Sequence, residues 1–366
     1  MTKQHVRVGV IGAGTFAEEC HIPGVQAHVQ GEVVALCARN REHAMDVATR
    51  FGVPDVYTDY RDLLARPDID AVTVATPDAL HFPIVIAALE AGKHVFCEKP
   101  LAMNTDEAQQ MTEMAGRSGR MAMVSFTFRY SRSLQALRQL IRQRAIGTPF
   151  YVAMQLHWGK IGYPGASLGW YDRAALSAAG TWADGASHLF DALAYILAPI
   201  QQVCAQMMIV PRESGIAQPD TVDVATCLGR LRLPGEQVPH ELDAVAYADR
   251  EPGIVHVTLL TSRVDRGPDE IEVVGTRGAA RIALTRGQNE RLSLLHEDNQ
   301  WRDVPLPDDA RTNEPRALKR MMGAFVDAVL HDHLGPDDPS FAAGLHTQRA
   351  IDAAIQSARD QHWMKV

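Results

Sequence analysis

Over the first third of the chain, short unbroken apolar runs alternate with segments of helical period. The runs are Val6–Ile11, Val33–Ala38, Ala71–Ala75, His94–Cys97 and Met121–Phe126. Short runs without polar alternation are the pattern of strands covered on both faces. Between them lie a helical pattern from Ala17, broken at Pro23, a helix Arg41–Phe51 closed by Gly52, a turn at Tyr60–Ala65, a helix His81–Leu89 closed by Gly92, and a helix Asp106–Ser118. Strands alternating with helices over short connections predict a doubly wound parallel sheet. Near Ser125 the pattern changes. After a helix at Ser133–Gln143, apolar positions recur in alternation over Phe150–His157, Gln202–Ile209, Val222–Leu233, Gly253–Ser262, Glu270–Val274 and Ala279–Leu284. Six such strands predict a large, mostly antiparallel sheet with one face open to a partner subunit. An apolar helix runs to Leu197, and Pro315–His331 and Phe341–Gln361 complete the chain as helices. The fold class is α/β in two domains, 1–124 and 125–366, with the last helix packing back on the first domain.

The bulk numbers narrow the function classes. The chain has 366 residues, 46% hydrophobic and 22% charged, which is long enough for two cored domains. Its net charge is −8 with no basic run, so it lacks the electrostatic footprint of a nucleic-acid binder. No stretch is long and apolar enough to span a membrane, and the N-terminus enters a strand without a signal-like apolar region. The five cysteines are scattered, odd in number and without CxxC. They read as reduced packing residues, and the expectation is a cytoplasmic protein.

Chemistry is concentrated at the ends of the predicted strands. Gly12-Ala13-Gly14-Thr15-Phe16-Ala17 matches GxGxxA between a strand and a helix. Gly12 makes the tight turn, Gly14 lets a pyrophosphate approach the backbone, and Ala17 allows close helix packing. The helix N-terminus beyond offers N–H groups to phosphate. That points to a dinucleotide-binding turn, an ordinary glycine-rich β–α turn being the other reading. The second strand ends in Ala38-Arg39 where an acid would meet a free ribose hydroxyl, and an arginine there pairs with a 2′-phosphate. That favours NADP over NAD. Arg39 stacking on adenine would admit either cofactor. The third strand leads into Thr76-Pro77 and His81. The fourth ends in Glu98-Lys99-Pro100, a charged pair at the edge where open α/β sheets bind ligands. Asp184, His188 and Asp191 fall on one face of an otherwise apolar helix. An i, i+4 stabilising pair or a metal site are the other readings of that face; it lacks HExxH, and no metal is expected.

The order GAGxxA, TPDALH, EKP, FxFR and a Gly-rich DxxSHxxD helix resembles the Gfo/Idh/MocA oxidoreductases, the glucose–fructose oxidoreductase and inositol dehydrogenase group. The similarity spans nearly the whole chain, including Glu272–Gly278. It implies that the open sheet mediates a homodimer or homotetramer and that Lys99, Asp184 and His188 hold the catalytic positions. The expected activity is hydride transfer between nicotinamide and a secondary alcohol of a sugar, cyclitol or related polyol. His188 would be the base. Lys99 would bind the same oxygen, and Asp184 would bind a hydroxyl or hold His188. Glu98 and His81 would sit by the cofactor together with Gly12, Gly14, Thr15, Phe16, Ala17, Ala38, Arg39, Thr76, Pro77 and Lys99. Arg129, Trp170 and Tyr171 would line the substrate pocket. The sequence departs from the family at Ala38 and in an insertion at 233–252. Other readings are a glycosidase or lyase with transient oxidation, a non-catalytic dinucleotide sensor, and an amino-acid or biliverdin-type reductase, against which the DxxSH helix argues.

Overall fold

The structure is a computed structural model that describes residues 5–159, 168–212, 218–234, 253–284, 290–295, 298–306 and 317–366. Most of the 233–252 insertion lies outside the described residues. The elements in chain order are β1 (Val6–Ile11), α1 (Ile22–Gln26), β2 (Gly31–Cys37), α2 (Arg41–Phe51), β3 (Asp55–Tyr57), α3 (Tyr60–Leu64), β4 (Ala71–Val74), α4 (His81–Glu90), β5 (His94–Cys97), α5 (Thr105–Ser118), β6 (Ala122–Val124) and α6 (Arg132–Arg142). There follow β7 (Pro149–His157), α7 (Thr181–Ile196), β8 (Gln202–Met208), β9 (Val224–Arg232), β10 (Ile254–Ser262), β11 (Glu270–Gly275), β12 (Gly278–Ala283), β13 (Arg291–Leu295), β14 (Trp301–Asp303), α8 (Ala317–His331), α9 (Phe341–Asp360) and β15 (Met364–Lys365). They form two compact units. One comprises Met1–Tyr130, Ala175–Ala178 and Glu314–Gln348, and the other Ser131–Ala174, Ala179–Asn313 and Arg349–Val366.

The first unit is built on a six-stranded parallel sheet in the order β3-β2-β1-β4-β5-β6. That is the doubly wound order with its switch between β1 and β4. The apolar runs are covered on both faces, as their lack of alternation requires. Val72, Val74, Val95 and Val124 pack against Ile84, Val85, Ala88 and Met111 of α4 and α5. Val8, Val10 and Phe96 pack against Val25, Val47, Phe325 and Val326 of α1, α2 and α8. Tyr130 Oη and the Gly335 N–H both donate to Asp338, at 2.5 and 2.7 Å, which ties the acidic 331–339 segment down as a turn.

Pro23 does not break the first helix. Ala17–His21 is a π-helical turn that runs directly into α1, with Pro23 in the first turn of α1. A proline is tolerated there because first-turn N–H groups lack helical partners in any case.

The second unit carries a nine-stranded sheet in the order β14-β13-β12-β11-β7-β10-β9-β8-β15. Among the described residues every pairing is antiparallel except β7 with β10. The alternation of β9 is complete, with Ala225, Cys227, Gly229 and Leu231 buried and Thr226, Leu228, Arg230 and Arg232 exposed. Helices α6 and α7 cover the buried face. The short strands β3, β13, β14 and β15 are elements that hydrophobic patterning misses, because they are too brief or too polar to show a period.

Candidate functional site

In the first unit the carboxyl ends of three adjacent strands align, Ile11 beside Val74 and Val74 beside Cys97. The glycine loop, the Thr76-Pro77 loop and the Glu98–Pro100 segment therefore leave one sheet edge together. Gly12 has φ +112°, and a Cβ there would lie 2.2 Å from the carbonyl oxygen of Ala75. That carbonyl is backbone, and its own residue is tied to Ile11 by a 2.8 Å bond. Only glycine fits. Gly12→Ala should weaken NADH or NADPH binding at least about tenfold, since the strained φ alone costs about 1–3 kcal/mol. Titration by nucleotide fluorescence measures it.

Gly14, by contrast, faces open space, with no atom within 4 Å of a Cβ placed there. Thr15 and Phe16 beside it are exposed and Ala17 is fully buried. Asn40 caps α2 by accepting from the His43 N–H at 3.1 Å, and the His43 ring bonds the Ala13 carbonyl at 2.8 Å. This brace on the glycine loop has no signature in the sequence. Ala38 is half-buried and Arg39 exposed just past β2. The Thr76 hydroxyl oxygen is buried with no hydrogen-bond partner. An open glycine cradle and an orphaned buried hydroxyl on the same sheet edge fit a dinucleotide.

Glu98 is buried and accepts from His21 Nε2 at 2.8 Å. Burial alone would raise its carboxyl, but the His21 bond, with help from Lys99 and Ser125, outweighs it and holds the group below the ordinary value. Lys99 is half-buried on the next position, and the Lys99–Pro100 peptide is cis. His81 has no exposed surface, and both ring nitrogens face carbonyls, Pro100 at 2.9 Å and Thr76 at 3.0 Å. Its ring is thus used up within the fold rather than presented to a ligand. Arg129 lies in a 3₁₀ turn over Thr127–Tyr130 and donates to the Asp337 carbonyl at 3.4 Å.

In the second unit, α7 displays Asp184 and His188 as the only residues between Thr181 and Leu193 that are not buried. Asp191, on the same face by spacing, is 1% exposed, because α7 is buried nearly all round beyond His188. Gly185 lets α7 press onto β10; a Cβ there would lie 2.5 Å from the Trp158 ring and 2.8 Å from a Thr261 methyl.

Trp170 and Tyr171 stack at 3.7 Å between ring centroids in a 3₁₀ turn. The turn is anchored by charge. Asp172 accepts from Gly169 N–H at 2.7 Å and pairs with Arg263, which also reaches fully buried Asp223 at 2.7 Å. Arg212 grips both oxygens of Asp223 at 2.9 and 3.1 Å. Each of these four residues alone is an ordinary charged residue, and the pairings of Arg263 span 40 and 91 residues.

The cysteines are free thiols. Burial pushes the thiols of Cys37 and Cys227 up to about 11 and about 12, and all five are unbridged.

Strand order, glycine loop and the lysine at the strand ends define an oxidoreductase of the NAD-binding Rossmann class. The model of the oxidoreductase family with an NAD-binding Rossmann fold matches residues 6–126, and that of the same family's C-terminal alpha/beta domain matches 138–366. The chain belongs to the Gfo/Idh/MocA oxidoreductase family and is a dehydrogenase or reductase acting on CH–OH groups. It is 27% identical to levoglucosan dehydrogenase of Pseudarthrobacter phenanthrenivorans over 99% of this chain and 98% of that one. It is 32% identical to D-glucoside 3-dehydrogenase of Escherichia coli over 54% and 55%. The solved structure of levoglucosan dehydrogenase with NADH and levoglucosan superimposes with a TM-score of 0.84 at 24% identity, over 99% and 100% of the two chains. Among the described residues no helix is long and apolar enough to cross a membrane.

Proposed function

We propose that the protein transfers hydride reversibly between a secondary alcohol of a sugar, cyclitol or related polyol and NADP or NAD, with NADP favoured. The observation that carries this reading is the alignment of the open Gly14 cradle and Lys99 on one edge of the parallel sheet, in a chain matched by both family models. The nicotinamide, when bound, supplies the carbon that accepts or returns the hydride. The residues that would hold the dinucleotide are Gly12, Gly14, Thr15, Phe16, Ala17, Ala38, Arg39, Thr76 and Pro77. His188 removes the hydroxyl proton as the hydride departs, a task suited to an imidazole near neutral pH. Lys99 donates a hydrogen bond to an oxygen on which negative charge develops. Asp184, one turn before His188, binds a neighbouring hydroxyl or holds the imidazole. Trp170 and Tyr171 offer aromatic faces to the apolar side of a sugar ring, with Arg129 as a further wall.

The test is reduced-nicotinamide absorbance with NAD or NADP against a panel of aldoses, anhydrosugars, inositols and other polyols. Turnover with one sugar class supports the reading. Bound dinucleotide with no turnover across the panel overturns it. Cofactor preference has its own test. Arg39→Ala should weaken NADPH by about tenfold or more and NADH little, as expected for a lost guanidinium–phosphate pair. Equal losses would mean that Arg39 only stacks on adenine.

The assembly we propose is a homodimer or homotetramer joined through the open face of the nine-stranded sheet. Leu228 at 51% and Met208 at 54% exposure stand on that face, with Thr226, Thr258 and Leu260 in register beside them.

A further inference from the structure

Two buried histidines flank Lys99 within the first unit, and neither has surface for a ligand. On one side, His21 Nε2 lies 2.8 Å from Glu98 Oε1. A carboxylate oxygen accepts only, so the proton sits on Nε2. The ring is 1% exposed and packs at right angles to Phe96 with centroids 5.4 Å apart, which sets its orientation. The other Glu98 oxygen accepts from the Lys99 backbone N–H at 3.3 Å. On the other side, His81 places Nδ1 on the Pro100 carbonyl and Nε2 on the Thr76 carbonyl. Both carbonyls are acceptors. The ring therefore donates to at least one of them and lies between the segment after β5 and the loop after β4.

We propose that His21 and His81 are positioning residues for Lys99, holding Glu98 and Pro100 on either side of it so that the lysine side chain is delivered from a fixed backbone. The inference rests on the catalytic role proposed for Lys99 and deepens it. The physical need is clear. A donor that must meet an oxygen at hydrogen-bond distance loses much of its effect if its backbone drifts by about 1 Å, and such a drift can cost about a hundredfold in rate. The held state of Glu98 supports this reading, since its carboxyl lies below the ordinary value with the His21 bond as the main stabilising cause against burial. No residue here other than Lys99 need touch the substrate.

The experiment uses the full chain with four variants, His81→Leu, His81→Gln, His21→Leu and His21→Gln. Glutamine keeps one N–H donor at each site and leucine keeps none. Three quantities are read: hydrogen exchange over 94–103 by mass spectrometry, NADH and NADPH affinity by fluorescence, and kcat. In the leucine variants, exchange at 98–101 should rise about tenfold or more and kcat should fall about 30- to 100-fold, while dinucleotide affinity stays within about threefold. The glutamine variants should recover most of both losses. Unchanged exchange in the leucine variants overturns the proposal. So does affinity falling in step with kcat, which would make the histidines cofactor ligands, and so does glutamine faring no better than leucine. If a leucine variant does not fold, its glutamine counterpart carries the test against wild type, with near-wild-type exchange and kcat as the supporting result and a full loss as the overturning one. A wild-type protein without turnover would overturn the proposed function instead, and exchange and affinity would still decide whether the histidines hold the segment.

Discussion

Lys99→Ala should lower kcat by about a hundred- to ten-thousandfold while dinucleotide affinity changes by no more than about threefold. The range is that of a single well-placed donor or proton carrier acting on developing negative charge. The split follows from geometry. The dinucleotide is proposed to meet the glycine loop and the Thr76 loop, and the glycine loop is braced from elsewhere. Gly12 is set by Ala75, and Ala13 by His43. Steady-state kinetics on whichever polyol the panel identifies, with nucleotide fluorescence titration alongside, measures both numbers. Unchanged turnover would remove Lys99 from the chemistry. A matching fall in affinity would make it a cofactor ligand only.

Asp223→Ala should destabilise the second unit by about 3–5 kcal/mol, the usual cost of stripping one partner from a buried ion network. Asp223 has no exposed surface, and its removal leaves Arg212 and Arg263, with side chains 10% and 12% exposed, facing each other's charge. All five tryptophans lie in that unit, so their fluorescence during urea unfolding reports on it alone. The effect depends on pH with a definite sign. Burial pushes the Asp223 carboxyl up, but the hydrogen bonds from Arg212 and Arg263 outweigh it and hold it below its ordinary 3.8. A lowered folded-state value stabilises fully above about 3.8 and is lost as pH falls through the folded value. The gap between wild type and variant should therefore be full at neutral pH and should narrow in acid below 3.8. A gap independent of pH would mean that Asp223 acts by packing and not by charge. Because Arg263 also holds Asp172, the variant should loosen the Trp170–Tyr171 turn as well and raise KM for the polyol.

Much of the first unit is determined locally. Strands buried on both faces have to be apolar throughout, so Val6–Ile11, Ala71–Val74 and His94–Cys97 announce themselves. A turn that must pass within van der Waals distance of a carbonyl has to be glycine, so Gly12 does too. The cap Asn40 and the terminator Gly52 are equally short-range, and so is the i, i+4 spacing that leaves Asp184 and His188 open on α7. The tertiary structure decided what depends on distant segments. Pro23 reads as a break in the sequence because a π-helical turn has no hydrophobic period of its own. Asp191 shares a face with Asp184 and His188 by spacing, which cannot say how deeply a helix is buried. His81 looked like a cofactor ligand from its place after Thr76-Pro77, and only the fold shows its ring closed between two carbonyls. The His21–Glu98 bond joins residues 77 apart, and the Arg263–Asp172 bond joins residues 91 apart. Local sequence carries no trace of such pairs, because each partner alone is an ordinary charged or polar residue and becomes an anchor only when folding removes water from both.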